Sequence, residues 1–548
     1  MRRSAIAVAL LLLSSTLPAQ SIGPLPPLTA HVEVQVVNVD VTVTDMDGKP
    51  VTDLTKADFE LFEDGAMQKI TNFYVVRDSA VGDGTSPAPG TPAGEVPEEF
   101  RRKILLVIDN NYIEKAERNI ALTKMEKYVT SRFGAEWGVV VVGHAAEIVQ
   151  PFTTDVAAIH AAFDRARATS TFFVHHEIDR SILSDRTRRH LDLATSYDYG
   201  EAVRFSSREQ TFRNLLTVTN TARAVAEMAR AHSADVGKKY ILLLTGGMEL
   251  NTSFKAYDSA GDRELEQTRL EMAKLIDGMV REVNAANFTI HVLNGRTRGM
   301  QAPQHDVANR TSGIRIENLF REGGGKDPVD TTDVDSAPLS LALGTGGMYL
   351  PSNDIVASVQ RIDHQTANFY SLGYSPASHH GDRQYHSIKV RVKRSGVRVA
   401  NRVGYYDLTS DDRLEGMLRA RATFDRAIGT LPVKVDVGVA KSRTDHLVLP
   451  VRAGLQLDKV TVIPRDDGYV GRVHVYVSVF DRSGRNIGFH HQTQEVTLSS
   501  DQLRDAERET FHYTMNVRLQ GKGEFTVVVT LRDELSNEMG SAVEAVKL

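Results

Sequence analysis

Adjacent histidines occur at His175-His176, His379-His380 and His490-His491, and imidazole is the side chain most often recruited to bind metals or move protons. Neighbours on a strand point to opposite faces, and no carboxylates accompany these pairs at ligand spacing, so surface or turn positions account for them better. Asp327, Asp330, Asp333 and Asp335 recur through a polar stretch in the manner of a calcium loop. Lacking the glycine turn and terminal glutamate of an EF-hand, they read as a solvated acidic loop. Gly344-Thr345-Gly346-Gly347 has the composition of a phosphate cradle, but no lysine follows at the required spacing. A tight turn before Met348-Tyr349-Leu350 is expected there. No Gly-x-Ser-x-Gly or His-Glu-x-x-His occurs, so no catalytic residues are assigned and the chain is expected not to be an enzyme.

The elements that would position any site alternate between two patterns. Val32, Val34 and Val36, then Val39, Val41 and Val43, alternate up to a turn at Asp47-Gly48, and Phe59, Leu61 and Phe62 continue the pattern. Residues 31–77 are therefore expected to form a small N-terminal β domain. Residues 78–100, rich in Gly, Pro, Ser and Thr, read as a flexible linker. Ile104-Leu105-Leu106-Val107-Ile108, Val139 to Val142, Tyr240 to Leu244 and Phe288 to Leu293 are apolar on both faces, as buried parallel strands are. Helical spacing of apolar residues between them, as in Met272, Leu275, Ile276, Met279, Val280 and Val283, predicts a doubly wound, mostly parallel α/β sheet over 101–406. Polar stretches at about 168–210 and 294–337 interrupt it as insertions. A helix near Ile355 to Thr366, a strand at Phe369 to Tyr374 and a hairpin over 386–406 are expected to finish this domain. Residues 407–431 read as a helical link, and the alternating runs of 432–548 as an immunoglobulin-like β-sandwich.

Composition narrows the function classes. The chain has 548 residues, 25% of them charged, and no cysteine, which excludes disulfides, thiolate metal sites and cysteine nucleophiles. Arg2 and Arg3, the apolar run Ala5 to Leu13 and the small residues up to Ala19 have the form of a secretory signal peptide over 1–19. Its removal takes two positive charges from a net charge of −5, giving −7. With no basic tract to grip phosphates in series, nucleic acid is not an expected partner. The mature chain is expected to be exported, periplasmic or extracellular, without stable membrane insertion.

Three spaced motifs carry a resemblance. Val39-Asp40-Val41-Thr42-Val43-Thr44-Asp45 with Asp58-Phe59-Glu60-Leu61-Phe62-Glu63-Asp64-Gly65 is the first, and Tyr370-Ser371-Leu372-Gly373-Tyr374-Ser375-Pro376 the second. The third joins His386-Ser387-Ile388-Lys389-Val390 to Arg402-Val403-Gly404-Tyr405-Tyr406. Together they resemble the bacterial von Willebrand factor A-related proteins abundant in Acidobacteria, over about residues 31–406. The resemblance implies a Rossmann-type sheet with a metal-ion-dependent adhesion site built from an Asp-x-Ser-x-Ser loop, a threonine and a second aspartate. Here Asp109 matches the first aspartate, Asn111 stands at the first serine and Ile113, which cannot ligate, at the second. Thr245-Gly246-Gly247 lacks the second carboxylate, and Thr211 is the positional candidate for the threonine. With one carboxylate instead of two, Asp109, Asn111 and Thr211 form a degenerate site. No cofactor is expected to be required, and Mg2+ or Mn2+ would be held only weakly.

These readings point to an exported, non-enzymatic adhesion-type protein that binds a protein or glycan partner through its A-like domain. A structural or assembly component of the bacterial cell envelope is the alternative, and an exported hydrolase a third reading with less behind it.

Overall fold

The computed structural model describes residues 36–77, 80–82, 97–132, 134–143, 146–172, 215–233, 235–248, 263–295, 336–350, 354–376, 381–424 and 431–548, the last with short gaps at 444–445, 466–467, 483–485, 507, 520–522 and 537. The expected signal peptide lies outside the described residues, as do 83–96 of the expected linker and most of both expected insertions. Among the described residues no helix is long and apolar enough to cross a membrane.

The chain opens with five strands: β1 (Val37–Asp45), β2 (Phe59–Glu63), β3 (Ala66–Gln68), β4 (Asn72–Arg77) and β5 (Ala80–Gly82). The α/β unit follows, with β6 (Arg102–Asp109), β7 (Glu136–Val142), β8 (Ala146–Thr153), β9 (Lys238–Thr245), β10 (Phe288–Asn294) and β11 (Tyr349–Leu350). They form one sheet in the order β8-β7-β6-β9-β10-β11, parallel except for β8 at the edge. Strand alternation divides β6 between two cores, because successive side chains face opposite ways. Leu105 and Val107 pack under the helical run 215–231, α3 (Arg263–Ala285) and α4 (Ser336–Gly344). Ile104, Leu106 and Ile108 pack under α1 (Lys115–Arg132), α2 (Val156–Ala168) and α5 (Ile355–Ala367). The expected doubly wound sheet is present, and both faces are covered.

Where the α/β unit ends is a correction. The segment 369–406 supplies β12 (Phe369–Tyr374), β13 (Tyr385–Val392), β14 (Val397–Asn401) and β15 (Gly404–Tyr406), none of which joins the central sheet. They interleave with the N-terminal strands as β14-β1-β12-β4-β5 and β15-β13-β2-β3. In this pairing Val39 faces Leu372 across the ladder, and Leu61 faces Val390. The physical reason is that each segment has one apolar face and neither can cover it alone. Val37, Val39, Val41, Val43, Phe59 and Leu61 share a core with Tyr370, Leu372, Tyr374, Ile388 and Tyr405. Residues 31–77 are thus half of a β unit, not a domain of their own. Buried Glu63 accepts from the hydroxyls of Tyr374 at 2.6 Å and Tyr405 at 2.7 Å, and the Tyr370 hydroxyl donates to Val51 O at 2.9 Å. The motif tyrosines therefore tie this unit together.

The C-terminal part holds β16 (Lys434–Val437), β17 (Lys441–Ser442), β18 (Leu447–Gln456), β19 (Ile463–Arg465), β20 (Gly468–Asp481), β21 (Asn486–Leu498), β22 (Thr510–Leu519), β23 (Glu524–Asp533) and β24 (Met539–Lys547). They build two antiparallel sheets, centred on β18 and β20, around one core. The expected helical link is again more than a spacer. Its helix α6 (Ser410–Phe424) lays Leu414, Met417 and Leu418 onto Tyr476, Phe480 and Val528 of the β20–β23 sheet. Met417→Ala is expected to cost about 2–3 kcal/mol of the C-terminal unit's stability, read as an earlier midpoint of its denaturant transition. An unshifted midpoint would mean that α6 is only a tether.

Candidate functional site

Order β8-β7-β6-β9-β10-β11 is 3-2-1-4-5-6 by chain position, and in such sheets the crevice opens where the order reverses, beyond the carboxyl ends of the two central strands. Those strands are β6, ending at Asp109, and β9, ending at Thr245. Asp109 is 0% exposed. Its Oδ1 accepts from Asn111 N at 3.2 Å and lies 3.4 Å from Thr221 Oγ1, while Oδ2 lies 3.2 Å from Thr245 Oγ1. Each of these hydrogen-bond partners is neutral. Burial pushes its pKa up to about 7, against the opposing pull of these hydrogen bonds.

The surrounding residues complete a closed network. Asn111 Nδ2 donates to Gly143 O at 3.2 Å and to Thr221 Oγ1 at 3.3 Å. Asn110 Nδ2 donates to Ser170 O at 3.0 Å, and Asn110 O accepts from Phe172 N at 2.9 Å, which pins the chain after α2 against the end of β6. Arg118 is fully buried, donating to Asn110 Oδ1 at 2.8 Å and to the carbonyls of Arg167 and Thr169 at 2.9 and 3.0 Å. Burial pulls its pKa down to about 10.

A divalent cation does not fit this set. It would need a second carboxylate, where Gly246 stands, and an oxygen where Ile113 is buried against the apolar core under α1. The carboxyl of Asp109 is already engaged by two hydroxyls and an amide. The structure brings Asp109 and Asn111 together as expected, whereas Thr211 lies outside the described residues. The hydroxyls that reach Asp109 belong to Thr221 and Thr245. Arg118 was also missed, although it shares a helical face with Leu122 and Met125, and a lone cation on an apolar stripe is a readable signal.

Of the other clusters, Thr345 is buried and its Oγ1 accepts from Ile290 N at 2.9 Å, and Gly346 has φ of 80°, in the left-handed region. A Cβ at Gly347 would overlap the carbonyl oxygen of Ile290, so this is the expected tight turn and not a phosphate cradle. His490 bonds the Tyr513 hydroxyl at 3.1 Å and His491 stacks on Tyr476 at 4.2 Å, on a strand surface. His175-His176, His379-His380 and the 327–335 aspartates lie outside the described residues.

No family model matches the chain, and no curated protein matches it. Among solved structures it is similar to a von Willebrand factor type A protein from Catenulispora acidiphila, at 11% identity over 89% of this chain and 74% of that one, with a TM-score of 0.22. An aerotolerance-related membrane protein from Bacteroides fragilis NCTC 9343 is 9% identical over 48% of this chain and 98% of that one, with a TM-score of 0.23. A putative β-galactosidase, also from Bacteroides fragilis, is 12% identical over 21% of this chain, which spans 16% of that protein's length, with a TM-score of 0.16. Superpositions this loose carry no argument, and the fold rests on the strand order itself.

Proposed function

We propose that the chain is an exported, non-enzymatic binding protein whose von Willebrand A-like unit offers the carboxyl end of its sheet to a protein or glycan partner, without a bound cation. The β unit at the N-terminus and an immunoglobulin-like C-terminal sandwich act as spacers. The observation that carries this reading is the state of Asp109. At the point of the sheet where ligands gather, Asp109 is buried and internally hydrogen-bonded by Asn111, Thr221 and Thr245, all of them neutral. Such a group organises the loops around it and has neither the exposure nor the partners to ligate or catalyse. Among the described residues the rim includes the chain at Ser170 and Phe172, pinned on Asn110.

The absence of cysteine gives a clean test. Ser170→Cys, exposed beside the crevice, and Val439→Cys, 86% exposed on the C-terminal unit, each create a unique attachment point for a photo-cross-linker. In envelope fractions the Ser170 probe is expected to capture a discrete partner, undiminished by a chelator, and the Val439 probe none. Capture from Val439 alone would overturn the proposal and favour an envelope component assembled through its β domains.

A further inference from the structure

Away from the crevice, Asp382, His386 and Asp407 each bring a ligand atom to within 4.8 Å of the others. His386 sits on β13, Asp382 in the loop before it and Asp407 just after β15, so three neighbouring backbone segments converge. His386 Nε2 lies 3.2 Å from both Asp382 oxygens. Two ligand atoms about 2.0–2.1 Å from a tetrahedral zinc ion stand about 3.3 Å apart, so the spacing of His386 and Asp382 suits an ion, and Asp407, with a ligand atom within 4.8 Å of both, would close on it from the third side. Asp407 is buried, its Oδ2 accepting from Gly381 N at 2.5 Å and Asp382 N at 3.2 Å.

Two further features separate this cluster from an ordinary group of surface carboxylates. The first lies behind the histidine. His386 Nδ1 is 2.7 Å from Asp64 Oδ2, and Asp64 Oδ1 accepts from Ser387 N at 2.8 Å and Ser387 Oγ at 3.0 Å. A carboxylate held in this way on the far nitrogen fixes the tautomer that aims a lone pair from Nε2, as outer carboxylates do for metal-ligating histidines. The second is burial. His386 and Asp407 are both buried, at 8% and 1% exposure, while Asp382 reaches the surface. Arg383, the base in the same loop, pairs with Asp412 at 3.0 and 2.7 Å.

We propose that Asp382, His386 and Asp407 form a binding site for a divalent transition metal of the zinc type, with Asp64 as the residue that positions the histidine. One imidazole and two carboxylates favour zinc or cobalt over calcium and magnesium, which take oxygen ligands. Water or a partner's side chain completes the coordination. The ion would tie β13 and the chain after β15 to the β2–β3 turn that carries Asp64.

Chelator-stripped protein titrated with Co2+ near neutral pH is expected to take up about one equivalent with a visible absorption band, displaced by Zn2+. His386→Gln is expected to abolish the band. Asp382→Asn, a near-isosteric change in an exposed loop residue whose amide oxygen can still accept from Gln384 N, weakens binding at least about tenfold. Asp64→Asn, which leaves all three ligands in place, weakens it about 10–100-fold at unchanged stoichiometry. Asp109→Asn leaves it intact, which separates this site from the crevice. Absence of stoichiometric uptake, or a band that survives both His386→Gln and Asp382→Asn, would overturn the proposal and leave His386 as a hydrogen-bonded latch between carboxylates.

Discussion

A chain that begins at Pro97 is expected to lose the folded state of residues 369–406, although it retains every strand of the central sheet. Val37, Val39, Val41, Val43, Phe59 and Leu61 would be removed from the core they share with Tyr370, Leu372, Tyr374 and Ile388. At about 1.5–3 kcal/mol for each large apolar side chain buried, the loss is on the order of 10 kcal/mol. That equals the whole stability of an ordinary domain. β12 would also lose β1 and β4, its partners on both sides, and become an unpaired apolar strand open to aggregation. Hydrogen exchange across Phe369 to Tyr406 is the measurement. Rapid exchange there in the shortened chain, against protection in the full chain, is the expected result. Retained protection would restore an N-terminal domain independent of this segment.

The second large effect is the pH dependence that Asp109 contributes to stability, set against the opposite slope of buried His291, whose pKa burial pulls down to about 3. The pKa of Asp109 stands near 7 in the folded chain, raised by burial from the ordinary 3.8. Below about pH 4 the carboxyl is protonated in both states and its contribution is fully present. Between about pH 4 and 7 the unfolded chain releases the proton while the folded chain retains it, so the contribution of Asp109 to stability falls as pH rises, by about 4 kcal/mol in all at 1.36 kcal/mol per unit. Above the folded pKa both states are ionised and the loss is complete. Asp109→Asn keeps the shape and has no proton to lose, so its denaturation midpoint should not show this fall. Asp64 and Asp412, whose pKa values are held below the ordinary carboxylate value despite some burial by hydrogen bonds from His386 and Ser387 and from Arg383 and Thr409, give the opposite slope at the acid end. The difference between wild type and Asp109→Asn cancels them. Midpoints that run parallel in the two proteins between about pH 4.5 and 7.5 would mean that Asp109 is ionised throughout.

Local pattern carried a large part of this fold. Runs apolar on both faces, such as Ile104 to Ile108 and Tyr240 to Leu244, have one common solution, a strand buried between two helical layers. Helical spacing in Met272 to Val283 identified one of those layers. What local pattern does not contain is the partner of an alternating strand. Val37 to Val43 and Phe369 to Tyr374 each show which face is apolar, and neither shows that the other, more than three hundred residues along, will cover it. Local pattern therefore places the hairpin over 386–406 with its sequence neighbour, the α/β sheet, whereas in the fold it pairs with the N-terminal strands. The candidate site divides in the same way. Asp109 and Asn111 adjoin in sequence and could be paired by inspection, whereas Thr221 reaches Asp109 only because the run 215–231 packs over β6. Asp64 and His386 both belong to the spaced motifs, and their contact again depends on strand pairing between distant segments, β2 with β13.

The claim on which the functional reading rests is that the carboxyl at the switch point of the sheet is a neutral organiser of loops. Difference infrared spectroscopy of the carboxyl stretch, wild type minus Asp109→Asn, tests it directly. A neutral hub predicts a protonated-carboxyl band that persists near pH 6, fades only as pH passes about 7, and is untouched by millimolar Mg2+. A carboxylate band already present near pH 6, or deprotonation driven by Mg2+, would contradict it and restore a cation-dependent adhesion site.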